Sequence, residues 1–285
     1  MSNVATDKTS LFKILAIAGC AFCVAACGGN SDTEKATALL QQAEDAYEAQ
    51  NYSMALALTD SIKNAYPKEI DVRREALHLA TKATEGLTLR NLEQADSISA
   101  VLAVRGDSLQ RQLKFVKNPI EGYYVAATAD PAKFFNTTGL QARVSPNGDF
   151  YLMSSLKGKS VKSTSVEVSA GGESATTATV NHDGERNDRS MGGEVITFMG
   201  VECDSLGHFV SRHAGDPMTL TFVGASSYSI PLPEAQAQEI ALLYDYATTL
   251  RRFKVASLEK ERLGRAVEIS RSQAARTFID KNSEK

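Results

Sequence analysis

The sequence predicts an α+β protein, with a helical hairpin and long, coiled-coil-like helices flanking an antiparallel β-sandwich or small barrel. Three observations carry that expectation. Apolar residues recur at helical spacing across residues 35–117 and again across 234–281. Between Pro119 and Pro233 the apolar period drops to two, as in strands with one buried face. Turn signals rich in Gly, Asn and Asp punctuate that middle stretch.

In chain order, the first element is an apolar run from Leu11 to Ala26, with Lys8 ahead of it and Lys13 near its start. A spanning helix needs roughly 20 apolar residues, whereas this run has the length of a signal-peptide core. It closes on Val24-Ala25-Ala26-Cys27. Hydrophobic core, small residues and cysteine together resemble the lipobox of bacterial lipoproteins, whose cysteine becomes the acylated first residue of the mature chain. The resemblance implies a signal peptide over residues 1–26, lipidation at Cys27 and a polar tether over residues 27–34. Ile17-Ala18-Gly19-Cys20 also fits the box, which makes Cys20 the runner-up. Cleavage there leaves a short core interrupted by Lys13 and strands apolar Ala21 to Ala26 on the mature protein. The plainer alternative is an ordinary secretory signal or a small N-terminal anchor. A multiply acylated cysteine anchors stably, because each buried methylene contributes about 0.8 kcal/mol. Gly28 stands where some Gram-negative lipoproteins carry an aspartate that retains them at the inner membrane. The resemblance therefore implies the outer membrane, with its face undetermined.

Residues 35–118 are expected to form a hairpin and then a long helix. Leu39, Leu40, Ala43, Ala46 and Tyr47 share helical spacing, and Gln50-Asn51 breaks it. Tyr52, Ala55, Leu56, Thr59 and Ile62 resume it as far as Tyr66-Pro67. Ala43, Ala46, Tyr52, Ala55 and Pro67 resemble the landmarks of a single tetratricopeptide-type hairpin, without that repeat's opening aromatic or first-helix glycine. No second copy follows, and one hairpin cannot bury its own face, so it must pack on its own chain or on a partner. A plain helix–turn–helix is the simpler reading. After Pro67 a helix is expected from about Ile70 to Val116, striped by Leu77, Leu87, Leu92, Ile98, Leu102, Leu109 and Leu113. Gly86 and Gly106 are candidate kinks, since each costs up to about 1 kcal/mol inside a helix.

The β module, residues 119–233, is expected to hold about eight short strands. Tyr123 and Val125, Ala142 and Val144, Phe150 and Leu152, Val166 and Val168 mark strands, as does Val161. Val195 and Thr197, Phe209 and Val210, Leu220 and Phe222, Ile230 and Leu232 mark the others. Ser145-Pro146-Asn147-Gly148 is the strongest hairpin signal, because Asn-Gly supplies the positive φ angles a tight turn needs. Gly171-Gly172 and Asp183-Gly184 mark further turns. Pro231 and Pro233 end the last strand and open a helix over residues 234–285, striped by Ile240, Leu243, Ala247, Leu250, Phe253, Leu258, Leu263 and Val267. A module inserted between two long helices brings them together antiparallel if its ends are neighbours. Helices folded back over the module are the alternative.

Composition narrows the function. The net charge of −3 becomes about −4 once residues 1–26 are removed, and no basic stripe occurs, so nucleic acid is not the expected partner. Of four cysteines, Cys20 and Cys23 leave with the signal and Cys27 is consumed. Cys203 stays alone, without an intramolecular disulfide, and is expected to be a buried inert thiol. The absence of tryptophan counts against a carbohydrate site built on indole platforms.

No motif of a reaction, cofactor or metal site is present. His182, Asp183, Glu185, Asn187 and Asp188 crowd one polar loop, whose side-chain oxygens at alternate positions could hold calcium, but the EF-hand spacing is lacking and Arg186 opposes a cation. A solvated loop is the expectation. His208 and His213, with Asp204 and Asp216 nearby, lack the further ligands of a zinc site. A nucleophile set of Cys203, His208 and Asp204 would have to meet across Gly207. His78 is expected on the surface of the long helix or between helices. Asp60-Ser61-Ile62, Asp96-Ser97-Ile98, Asp107-Ser108-Leu109 and Asp204-Ser205-Leu206 resemble the acceptor sequence of an O-glycosylation system in some Gram-negative anaerobes, making Ser61, Ser97, Ser108 and Ser205 candidate sites. The expectation is a non-enzymatic binding, spacing or scaffold lipoprotein of the envelope, held by its lipid, with an envelope protein as candidate partner and its oligomeric state open. The alternative is a glycan- or small-ligand-binding protein or enzyme. Its site would lie in the β-module loops, lined by Tyr123, Tyr124, Phe134, Phe135, Phe150, Tyr151 and Tyr228.

Overall fold

The computed structural model describes residues 31–119, 121–189 and 192–277. Cys20, Cys27, the expected signal peptide and the first part of the tether lie outside the described residues. Among the described residues no helix is long and apolar enough to cross a membrane. Two compact units divide between Ala80 and Thr81.

The first unit holds α1 (Asp32–Glu48), α2 (Tyr52–Ala65) and the first turns of α3 (Ile70–Gln110). α1 starts earlier than expected and takes the end of the tether. Its Ser31 hydroxyl accepts from the Glu34 N–H at 3.2 Å, while the Glu34 carboxylate accepts from the Ser31 N–H at 3.1 Å. This reciprocal box satisfies N-terminal donors that a free tether would leave to water. Gln50 turns the chain at φ 57°, and the Asn51 side chain caps α2 by accepting from the Met54 N–H. The hairpin buries Leu40, Ala43 and Ile62 against Ala76 and Leu79 of α3.

In the second unit α3 ends at Gln110 rather than Val116, and β1 (Leu113–Val116) follows. The apolar spacing of Leu109 and Leu113 continues a helical stripe, but Leu113 pairs with Ala126 of β2 (Tyr123–Ala126). Then come α4 (Pro131–Phe134), β3 (Gly139–Val144), β4 (Phe150–Lys157), β5 (Ser165–Ala170) and β6 (Glu173–Thr176). β7 (Asn187–Asp188), β8 (Gly193–Met199), α5 (Asp204–Arg212), β9 (Met218–Val223), β10 (Ser227–Leu232) and α6 (Glu234–Arg276) complete the order. All pairing is antiparallel: one sheet runs β1-β2-β3-β4-β8-β7, the other β10-β9-β5-β6. The Asn147-Gly148 turn joins β3 and β4 as expected, but only Gly148, at φ 88°, takes a positive φ, and Asn147 does not.

Further expectations are corrected. The sheets do not close into a barrel. Phe209 and Val210 are not in a strand but in α5, where Leu206, Phe209 and Val210 point into the core at helical spacing. Val161 lies in a loop, buried beside the same core. That core draws Val144, Phe150 and Phe198 from the first sheet and Val168, Leu220 and Phe222 from the second. α6 adds Ile240 and Leu243.

α3 runs without interruption through Gly86 and Gly106. From residue 81 onward it lies antiparallel to α6, in one chain. Thr81 meets Thr277, Glu85 meets Arg271, Asp96 meets Lys260 and Arg105 meets Asp245, so partners advance along one helix as they retreat along the other. The paired stretch from residue 81 to 105 is about 36 Å long at 1.5 Å per residue. Buried Ala95, Ser99, Leu102 and Gly106 on α3 are spaced by four, three and four, and buried Thr249, Ala256, Leu263, Val267 and Ser270 on α6 by seven, seven, four and three. This is the seam spacing of a coiled coil.

Candidate functional site

The sequence-predicted catalytic residues do not converge. Cys203 is fully buried, its thiol turned toward the Phe198 and Gly200 carbonyls at 3.5 Å. Burial, reinforced by the neighbouring Asp204 carboxylate, pushes the thiol up to about 12, so it stays protonated and unreactive. The Asp204 carboxylate is gripped by Arg251 of α6 at 2.8 and 3.2 Å. His208 is exposed on α5, beside the Tyr244 ring. His213 caps the end of α5, bonded to Asp216 at 2.9 Å and stacked on Phe209. His78 is half-buried on α3.

The loop weighed for calcium is braced by protein groups. Arg186 bonds Glu202 at 2.6 Å, and buried Asn187 donates to the Ser163 carbonyl at 2.9 Å. Among the described residues no three His, Cys, Asp or Glu side chains gather as a metal-holding group. The aromatics considered for a ligand site are divided among separate packing roles. Tyr124 packs on Phe115 and Tyr246, while Phe134 and Phe150 are buried. Tyr123 and Phe135 flank the Arg143 guanidinium, and Tyr228 carries Lys159. Tyr151 is half-buried, so none of the set is exposed. Ser61 on α2, Ser97 and Ser108 on α3 and Ser205 on α5 are all exposed.

Glu194, which the sequence reading did not single out, is a buried carboxylate with a full set of hydrogen-bond donors. The side chain is 3% exposed on β8, where burial by itself would raise its pKa. Four hydrogen bonds outweigh that. Oε1 accepts from the Ser160 hydroxyl at 2.7 Å and the Lys162 N–H at 2.8 Å. Oε2 accepts from the Ser163 N–H at 2.8 Å and the Ser163 hydroxyl at 2.7 Å. Together they hold the carboxylate at about 2. Each carboxylate oxygen is occupied, so the group clamps the 160–163 loop to the sheet.

A groove of about 690 Å³ lies in the first unit, walled by α2 and the start of α3. Leu56 and Thr59 line it from α2, and Ala76, Leu77 and Ala80 from α3. Ile70 at 66% and Leu77 at 56% are among the most exposed large apolar side chains described. Polar ends sit around this surface: Lys63 and Asp60 on one wall, Arg73 and Arg74 on the other. The groove can hold an apolar ligand with a charged margin. A signal existed in the sequence, since Ile70 and Leu77 are two turns apart beside Arg73 and Arg74, but it reads equally as an ordinary buried stripe.

Comparisons with protein-family models, curated proteins and solved structures find no match to this chain.

Proposed function

We propose that this chain is a lipid-anchored lipoprotein of the bacterial cell envelope, held at the outer membrane. It serves without catalysis as a binding, spacing or scaffold protein. One observation carries the reading: the apolar run, small residues and Cys27 fall together as a lipobox does, followed by Gly28-Gly29-Asn30. Two features support the non-enzymatic part. Cys203 is sealed, Asp204 is held by Arg251, and His208 points to the surface of α5. The pairing of α3 with α6 supports a spacing role, because a two-helix seam fixes a distance with little material. The two antiparallel sheets are read as the halves of a sandwich, since side chains of both enter one core.

The test is the intact mass of protein purified from membranes, beside a Cys27→Ser variant. A mass fitting acylated Cys27 onward, with the variant lost from the membrane fraction, is the expected result. A mass starting at acylated Cys20 moves the anchor and keeps the reading, whereas an unacylated soluble product overturns it. Additional mass in hexose-sized steps, removed by changing Ser61, Ser97, Ser108 and Ser205 to alanine, identifies the acceptor serines.

A further inference from the structure

The groove between α2 and α3 keeps its charged groups at the margin and leaves large apolar side chains in water. Ile70 and Leu77 stand one above the other on α3, two turns and about 10 Å apart. Leu56 and Lys63 repeat that spacing on α2. Ala76 and Ala80, short side chains, let a visitor approach the α3 backbone closely. Both walls are helical, so apart from the last carbonyls of α2 and the first N–H groups of α3 their backbone groups are paired within each helix. An extended peptide would find no continuous edge along which to bond its own backbone. A helix brings its backbone bonds with it and needs only an apolar stripe.

The margin selects the charge of that helix. Lys63, Arg73 and Arg74, the last 3.7 Å from the exposed Asp71 carboxylate, surround the groove against Asp60, whose carboxylate already accepts from Asn64 at 3.1 Å. Arg73 donates from Nη1 to the Pro67 carbonyl at 2.8 Å, while its Nε is buried and finds no acceptor. A carboxylate brought alongside would complete its bonding after a side-chain adjustment. We propose that this groove docks an acidic amphipathic helix of a partner protein, with apolar anchors at i, i+3 or i+4, and i+7 and glutamate or aspartate on both flanks. The inference deepens the binding half of the scaffold reading and is independent of membrane attachment.

The test is fluorescence anisotropy with the full mature chain and a labelled synthetic helix of about 16 residues. The peptide carries leucine at the anchor positions and glutamate on the flanks, and a twin carries lysine in place of each glutamate. The expected result is saturable binding of the acidic helix, at least about tenfold tighter than its basic twin. Leu77→Glu should abolish it, and Lys63→Glu with Arg74→Glu should reverse the charge preference. These side chains are exposed, and circular dichroism confirms that each variant keeps its helix content. Equal binding of both peptides, no saturation, or indifference to Leu77→Glu overturns the proposal. Sedimentation as a dimer that Leu77→Glu dissociates overturns it as well, by assigning the groove to a second copy. Membrane attachment is read separately from the Cys27 mass, so either reading can fail without the other.

Discussion

Replacing Glu194 by glutamine changes one atom and separates two explanations of the loop it holds. Glutamine keeps the shape and one acceptor oxygen, so it can serve only one of the two donor pairs. The other pair then faces an NH₂ group. A serine hydroxyl can rotate to accept from it, but the backbone N–H of Lys162 or Ser163 cannot. Leaving such a buried donor unpaired costs about 1–3 kcal/mol, and the lost charge adds to that. Linkage gives a second route to the magnitude. The carboxylate is held at about 2 against an ordinary 4.5, and each pKa unit is worth about 1.4 kcal/mol. Glu194→Gln should therefore destabilise the second unit by about 3 kcal/mol at pH 7. Because the folded pKa is depressed, this contribution is present above pH 4.5 and is lost as pH falls toward 2. The gap between parent and variant should narrow over that window. The assay is urea unfolding followed by the labelling of Cys203, whose thiol is fully buried in the folded unit. A Glu194→Gln protein within about 0.5 kcal/mol of the parent at pH 7 would refute the clamp, as would a difference that ignores pH.

Two glycines in helices should respond in opposite directions. A Cβ at Gly207 would lie 2.6 Å from the Tyr244 ring and 2.8 Å from Phe150, so Gly207→Ala must push α5 away from α6. A loss of about 1–3 kcal/mol in the same unfolding assay is expected. A Cβ at Gly106 would meet only the Thr249 methyl at 3.9 Å, an ordinary contact in the α3–α6 seam. Gly106→Ala should stabilise by about 0.5–1 kcal/mol, measured as a rise in the urea midpoint at unchanged slope.

What could be read in advance was whatever a few neighbouring residues decide. Asn147-Gly148 announces its turn because the required φ is a property of those residues, and the β3–β4 hairpin follows. The stripes of α2, α3 and α6 were legible because one face of each helix is apolar over many turns. Where the local signal was short or double, the reading failed. Phe209-Val210 fits a strand until Leu206 is seen to share its face, and Leu109 with Leu113 fits a helix although Leu113 pairs with Ala126. The candidate groove was the least legible feature. Ile70 and Leu77 look like any other core positions until the α2–α3 packing leaves them outside.

By itself the sequence determined the long helical stretches, the strand-rich stretch between them, the Asn147-Gly148 turn and the lipobox resemblance at Cys27, because each rests on residues near one another in the chain. Only the tertiary structure decided that Cys203 is sealed, that Glu194 receives its donors from residues 160–163, and that α3 pairs with α6 within one chain. Burial, desolvation and the meeting of charges are set by neighbours in space. Asp96 and Lys260 touch across the long chain separation that the whole β module spans.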